Sequence, residues 1–137
     1  SDFVPFKNLS DMPFAMTAHI LYRDIDPKNL VTVSVKVIEE VIRKEILFEG
    51  FLITDDLSMN ALEGTLTERT RTSLSAGCDA VLHCNGNMEE MIEIASAAGE
   101  LTNVAKLRLN RALTQIKNVA PFDKIEAMDK LESLGIY

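Results

Sequence analysis

The segment Phe48–Leu62, FEGFLITDDLSMNAL, decides how the chain is read. After Gly50 an apolar run ends on two adjacent carboxylates, Asp55 and Asp56, and helix-like sequence then resumes. The run is short and lacks polar alternation, which predicts a β-strand covered on both faces. The acids at its end have two readings. Either they form the turn and cap the next helix, or one is presented rigidly for chemistry. In an extended segment neighbouring side chains point to opposite sides, so both cannot enter one crevice.

Two similar runs flank this one. FAMTAHI, Phe14–Ile20, reads as a strand closing on His19, and DAVLHCN, Asp79–Asn85, as a strand closing on His83 and Cys84. The opening SDFVPFKNLSDMP reads as a loop or the end of an earlier element, and LYRDIDPKNLVTV as an irregular connection. Ser34 is the expected N-cap of a helix carrying Val37, Ile38, Val41, Ile42 and Ile46 at helical spacing. A second helix is expected to start at Thr65 or Thr67 and to stop at Gly77 in the left-handed conformation. Asn87 then caps a helix, with Glu90 three residues on and Met91, Ile92 and Ala95 on one face. Ala105, Leu109, Ala112, Leu113 and Ile116 repeat the pattern, Pro121 breaks the chain, and a last short helix turns Ile125, Met128 and Leu131 inward.

This order of strands and helices predicts an α/β fold with a parallel sheet and helical crossovers. Three strands would leave both outer strands unpaired, a liability that larger folds remove by adding strands or closing a barrel. The chain therefore reads as a sector of something larger. In parallel α/β folds ligands meet the carboxyl ends of the strands. Those ends carry His19, Asp55, Asp56, His83 and Cys84.

Composition narrows the function. Of 137 residues 47% are hydrophobic, which suits a folded chain rather than a disordered one. A net charge of −7 without a Lys/Arg stripe argues against nucleic acid or anionic lipid as partner. No apolar stretch approaches the roughly 20 residues of a membrane-spanning helix. Cys78 and Cys84 cannot form a disulfide framework and suit a reducing compartment. No signal peptide is visible, and the chain opens on Ser1 rather than Met, as expected if the natural N-terminus has been cut away. No phosphate loop, dinucleotide fingerprint, C-x-x-C or GxSxG motif is present. His19, His83, Cys84 and Asp55 are zinc-ligand types, but without the spacings of zinc motifs, so no metal or cofactor is expected.

Three motifs, MTAHILYRDIDP, VIRKEILFEGFLITDDLSM and AGCDAVLHCNG, in this order and spacing, resemble the bacterial β-N-acetylhexosaminidases of glycoside hydrolase family 3. The resemblance runs from about Pro5 to Asn118 and is narrowest to the cytoplasmic, peptidoglycan-recycling subgroup. It implies a (β/α)8 TIM barrel, which typically needs about 250 residues. Residues 1–137 would then be its C-terminal segment, roughly the last three β/α units plus C-terminal helices, with the N-terminal part absent. It implies Asp55, following Thr54, as the catalytic nucleophile of a retaining mechanism, with Asp56 the turn residue beside it; His19, at the end of the first strand, is the candidate substrate-binding residue. It further implies a substrate carrying terminal β-linked N-acetylglucosamine from muropeptides, a cytoplasmic location, and the missing part of the barrel as partner. The subgroup's acid/base histidine–aspartate pair lies on an upstream loop that this chain lacks, so the chain alone is expected to be inactive. A receiver-like signalling domain with an acidic Mg2+-binding pair is the alternative, although VLHCNG offers neither the Asp nor the Lys it requires. A half-barrel scaffold without chemistry is another.

Overall fold

The computed structural model describes residues 2–116 and 122–136. Three strands, β1 (Phe14–Met16), β2 (Phe51–Asp56) and β3 (Ala80–Leu82), form one parallel sheet in the order β1-β2-β3. Helices α1 (Val4–Lys7), α2 (Leu66–Ala76), α3 (Met88–Ala98), α4 (Asn103–Ile116) and α5 (Lys124–Ser133) surround it, with a π-helix over Val37–Glu45. This is the expected α/β layering. The break expected at Pro121 lies outside the described residues.

β1 is shorter than Phe14–Ile20. Its ladder ends where the Thr17 amide donates to the Ile53 carbonyl at 2.9 Å. Beyond that point the backbone leaves the sheet, and Thr32 Oγ1 of the turn Val31–Val33 comes within 3.3 Å of the Ala18 carbonyl oxygen. The helix after Ser34 is also wound differently from the α-helix its spacing predicts. Ser34 caps it as expected, its Oγ accepting the Val37 amide at 3.1 Å. The Ile46 amide, however, reaches the Val41 carbonyl at 2.8 Å, an i to i−5 bond. That repeat brings Val37, Val41 and Ile46 into one buried row against Leu52.

The caps of the later helices follow their sequence signals. Thr65 and Glu68 form a capping box, and Gly77 closes α2 at φ 117°. Asn87 Oδ1 accepts the Glu89 and Glu90 amides at 3.0 and 3.4 Å. The inward faces fit less well. Ile94 is the buried residue of α3, while Met91, Ile92 and Ala95 are exposed. On α4, Ala105 and Ala112 are buried and Leu113 and Ile116 are exposed. Small side chains let this helix lie close against Phe51 with the half-buried Leu109 beside them, while Leu113 and Ile116 are turned off the contact. Ile125 of α5 is 75% exposed, with Met128 and Leu131 half-buried.

Alternation along β2 separates two cores. Leu52 packs into the layer of the π-helix and α2 with Ile38, Val41, Ala76 and Cys78. Phe51 and Ile53 face the other way, where α4 covers the amino ends of the strands and Phe14 meets Phe51 edge-to-face at 5.9 Å. The same amino ends hold a buried ion cluster. Asp79 Oδ2 accepts Arg43 Nη2 at 3.0 Å and the Leu52 amide at 2.9 Å, and its Oδ1 accepts Arg108 Nη1 at 2.8 Å. Arg43 also donates to the Phe48 and Gly50 carbonyls, both at 2.9 Å. A Cβ on Gly50 would lie 2.7 Å from the Met12 carbonyl oxygen, so no larger residue fits this corner.

Removing one partner of a buried ion pair leaves the other charge uncompensated, at a cost of about 3–5 kcal/mol. Asp79→Ala, which strands Arg43 and Arg108 together, is expected to lower stability by about that much in equilibrium urea unfolding. Leu47 ends the π-helix at φ 64° with 66% of its surface exposed. Leu47→Gly is therefore expected to stabilise the chain by about 1 kcal/mol in the same measurement.

Candidate active site

At the carboxyl end of β2 the sequence TDD is divided by the pleat. Thr54 is fully buried, and its Oγ1 accepts the Leu82 amide at 2.9 Å, tying β2 to β3. Asp56 makes the next tie. Its Oδ1 accepts the Ser58 amide at 2.9 Å and the Cys84 amide at 3.2 Å, and its Oδ2 accepts the Ser58 hydroxyl at 2.6 Å. Partial burial pushes its pKa up, but the Ser58 hydroxyl and amide and the Cys84 amide outweigh it and hold the carboxyl below its usual range. Asp56 is consumed by the turn.

Asp55 is different. It follows Phe51 and Ile53 on the face that α4 covers only at its amino end. It is half-buried, and its Oδ1 accepts the Asp56 amide at 2.8 Å. No other described group donates to this carboxylate. One oxygen is thus held in place, and the other has no partner among the described residues.

His19 stands beyond β1 with both ring nitrogens engaged. Nε2 lies 2.9 Å from the Asp56 carbonyl oxygen, and since a carbonyl only accepts, Nε2 carries the proton and donates. Nδ1 lies 2.8 Å from Thr32 Oγ1, which is itself 2.9 Å from Thr17 Oγ1. His19 therefore joins the end of β1 to the end of β2. His83, with a side chain 6% exposed, bonds Glu90 Oε2 through Nε2 at 2.7 Å, and its buried Nδ1 has no partner among the described residues. That bond, followed by one from Asn85, lowers the Glu90 pKa. Desolvation, then Asp56 and Asp55, raises the Cys84 thiol, and burial lifts Cys78 to about 12, so neither is an activated thiolate.

The structure brings Asp55, Asp56, His19 and Cys84 to one end of the sheet. Among the described residues no group of three or more His, Cys, Asp or Glu side chains is arranged to hold a metal ion. Nothing supports the receiver-like alternative, because Asp56, the partner in the supposed Mg2+ pair, spends its oxygens on Ser58 and Cys84. Sequence reasoning missed Ser58, Thr17 and Thr32. Ser58 was detectable, since an Asp that bonds the residue two positions on is an ordinary turn device. Thr17 and Thr32 meet across 15 residues and leave no local signal.

A parallel α/β layer with a carboxylate free at the end of its central strand has its site where such folds hold their ligands. Residues 1–119 match the family described as Glycosyl hydrolase family 3 N terminal domain, and the chain belongs to that family. A protein of Alkalilimnicola ehrlichii named beta-hexosaminidase is 45% identical over 89 residues, covering 62% of this chain and 25% of its own length. One of the same name from Nitrosomonas eutropha is 30% identical over 131 residues, 91% of this chain and 37% of its own length. Among solved structures, a glycoside hydrolase family 3 β-N-acetylglucosaminidase from Paenibacillus sp. str. FPU-7 superposes with a TM-score of 0.72 at 25% identity, over 89% of this chain and 26% of that one. The chain thus spans a quarter to little more than a third of these proteins' lengths.

The depressed Asp56 pKa carries a pH dependence. A carboxyl with a lowered folded-state pKa adds stability above its unfolded value, about 3.9, and that stability is lost as pH falls from there through the folded value. The stability difference between the wild type and Asp56→Asn is expected to be constant above about pH 5 and to shrink below about pH 4. Urea unfolding at a series of pH values checks this; a gap that stays constant into acid would show the carboxylate ties to be absent.

Proposed function

We propose that this chain is the nucleophile-bearing sector of a retaining β-N-acetylhexosaminidase, with Asp55 as the nucleophile. The observation that carries the reading is the division of labour at the end of β2. Asp56 satisfies the turn, while Asp55 keeps one oxygen without a partner among the described residues, on the open face of the sheet. The substrate is a glycan with terminal β-linked N-acetylglucosamine, of the kind carried by muropeptides. The beta-hexosaminidase names of the relatives and the resemblance of the three motifs support this substrate, and the resemblance alone supports a cytoplasmic site of action. No described helix is long and apolar enough to cross a membrane.

In the first step the free oxygen of Asp55 bonds to the anomeric carbon as the bond to the aglycone oxygen breaks. A general acid protonates the departing oxygen. Water then attacks the same carbon, a base takes its proton, and the carboxylate of Asp55 is released. Among the described residues neither histidine near Asp55 is free to serve as that acid/base. His19 has both nitrogens occupied, and His83 is paired with Glu90.

The acid/base belongs to the rest of a (β/α)8 barrel, of which residues 1–137 are the C-terminal segment. Two features support the barrel. Among the described residues, β1 and β3 each have an unpaired outer edge. Beside β1 opens an apolar cleft of about 370 Å3, whose lining includes Phe6, Met12, Met16, Ile20 and Ile42. Packing of this kind is what a preceding strand and its helix would cover. In this reading the missing half is the partner and His19 lies at the edge of the sugar pocket.

The chain alone is expected to turn over a chromogenic N-acetylglucosaminide negligibly, since general acid catalysis worth about 10²–10⁴-fold is missing. Joined to the preceding half of the barrel it is expected to hydrolyse that substrate with retention, and Asp55→Ala is expected to abolish at least about 10³-fold of the rate with folding intact. An unchanged rate in Asp55→Ala, or brisk turnover by the isolated chain, would refute the reading. A folded complex without activity would make the chain a scaffold.

A further inference from the structure

The hydrogen bonds at the end of β2 converge on one residue, Asp56, and this bears on the proposed nucleophile beside it. The Asp55–Asp56 peptide supplies the amide that holds Asp55 Oδ1 at 2.8 Å. The next carbonyl along, that of Asp56, accepts His19 Nε2–H at 2.9 Å from the far side of β1. The Asp56 carboxylate accepts the Cys84 amide beyond β3 and both donors of Ser58. All three strand ends are therefore joined through one residue. The register of β2 against β3 is irregular between Ile53 and Asp56, so ladder bonds alone do not fix this segment.

We propose that His19 and Asp56 form a cross-strand latch that positions Asp55, and that neither of them touches the sugar. His19 is the donor arm. The Thr17–Thr32 hydroxyl pair on Nδ1 holds the ring with its Nε2–H toward β2. Asp56 is the hub, with its carboxylate fixing the turn and its carbonyl receiving the ring. The latch holds the amide that orients Asp55 Oδ1 and so aims the second oxygen. This rests on the proposed function and adds two positioning residues to it. A displacement of about 1 Å at a reacting group costs on the order of 10²-fold in rate, so a loosened latch lowers kcat while leaving ground-state binding of the sugar nearly unchanged.

The test uses the complete barrel enzyme, the chromogenic N-acetylglucosaminide, and variants of His19 that imitate one ring nitrogen at a time. The Gln amide nitrogen reaches the place of Nε2, whereas the Asn amide reaches only that of Nδ1. His19→Gln is expected to keep kcat within about threefold of wild type. His19→Asn is expected to lose about 10–100-fold in kcat with KM within about twofold. Ser58→Ala, which removes only the hydroxyl on Asp56 Oδ2, is expected to lower kcat by several-fold, again at constant KM. It decides the matter if His19→Asn does not fold. In the wild type, 15N–1H correlation of the imidazole is expected to show the Nε2–H tautomer. Equal kcat for Gln and Asn, a rise in KM at unchanged kcat, a wild-type-like Ser58→Ala, or the Nδ1–H tautomer would each overturn the latch. Asp55→Ala in the same enzyme separates the two levels. If it retains the rate, the nucleophile assignment fails, and if it alone loses the rate, only the latch fails.

Discussion

The Asp79 carboxylate is the constraint on which this small sheet depends. It is 7% exposed, carries two guanidinium groups and one backbone amide, and joins the start of β3 to the start of β2, the π-helix and α4. A buried acid is costly unless its lone pairs are filled, and here they are. Burial and the nearby Arg108 charge pull the Arg43 pKa down while Asp79 pushes it up, so each ion is tolerable only because the others are present. Such a cluster adds little net stability compared with a well-packed apolar one, but it fixes how the elements meet. The Phe48–Gly50 corner that launches β2 is fixed by the same guanidinium, through two carbonyls and the Phe48 ring at 5.4 Å.

With the amino ends pinned by ions, the carboxyl ends are held by weaker and more local means. Thr54, Asp56, His19 and Ser58 use neutral or singly charged hydrogen bonds. Among the described residues the arrangement leaves one Asp55 oxygen without a partner, on the face that α4 leaves uncovered toward that end. On the proposed function, stability and chemistry are divided between the two ends of the same three strands, the division that barrels generally show.

Much of this was legible in the sequence, and what was missed has a common cause. Local signals held: Ser34, Thr65 and Asn87 cap their helices, Gly77 takes the left-handed turn, and alternation through TDD separates Asp55 from Asp56. Features set by distant contacts were not legible. Nothing near Ala18 signals that Thr32 will meet its carbonyl where the backbone leaves β1. Val37, Ile38, Val41 and Ile42 fit an α-helical face, and only the buried Ile46, which an i−4 ladder would place opposite Val37, belongs to the i−5 repeat observed. The Met91–Ile92–Ala95 face was misjudged because only the contact with α2 decides which side of α3 is buried, and it is Ile94 that turns inward.

The exposed apolar residues point the same way as the open sheet edges. Met16, Ile20, Met88, Ile92, Leu107 and Ile116 are each at least 46% exposed, and they lie on β1 or just beyond it, α3 and α4. Single exposed apolar side chains need no explanation, but amphipathic elements with their apolar residues left outside do. In a free-standing domain these residues would favour association. In a barrel sector they face the neighbours that a closed sheet supplies, and the unpaired edges of β1 and β3 disappear by the same closure. The ionic anchor needs no such closure, since every partner of Asp79 is within this chain. On the proposed function the free oxygen of Asp55 does need it, because a nucleophile acts only with an acid and a sugar pocket that the rest of the barrel would bring.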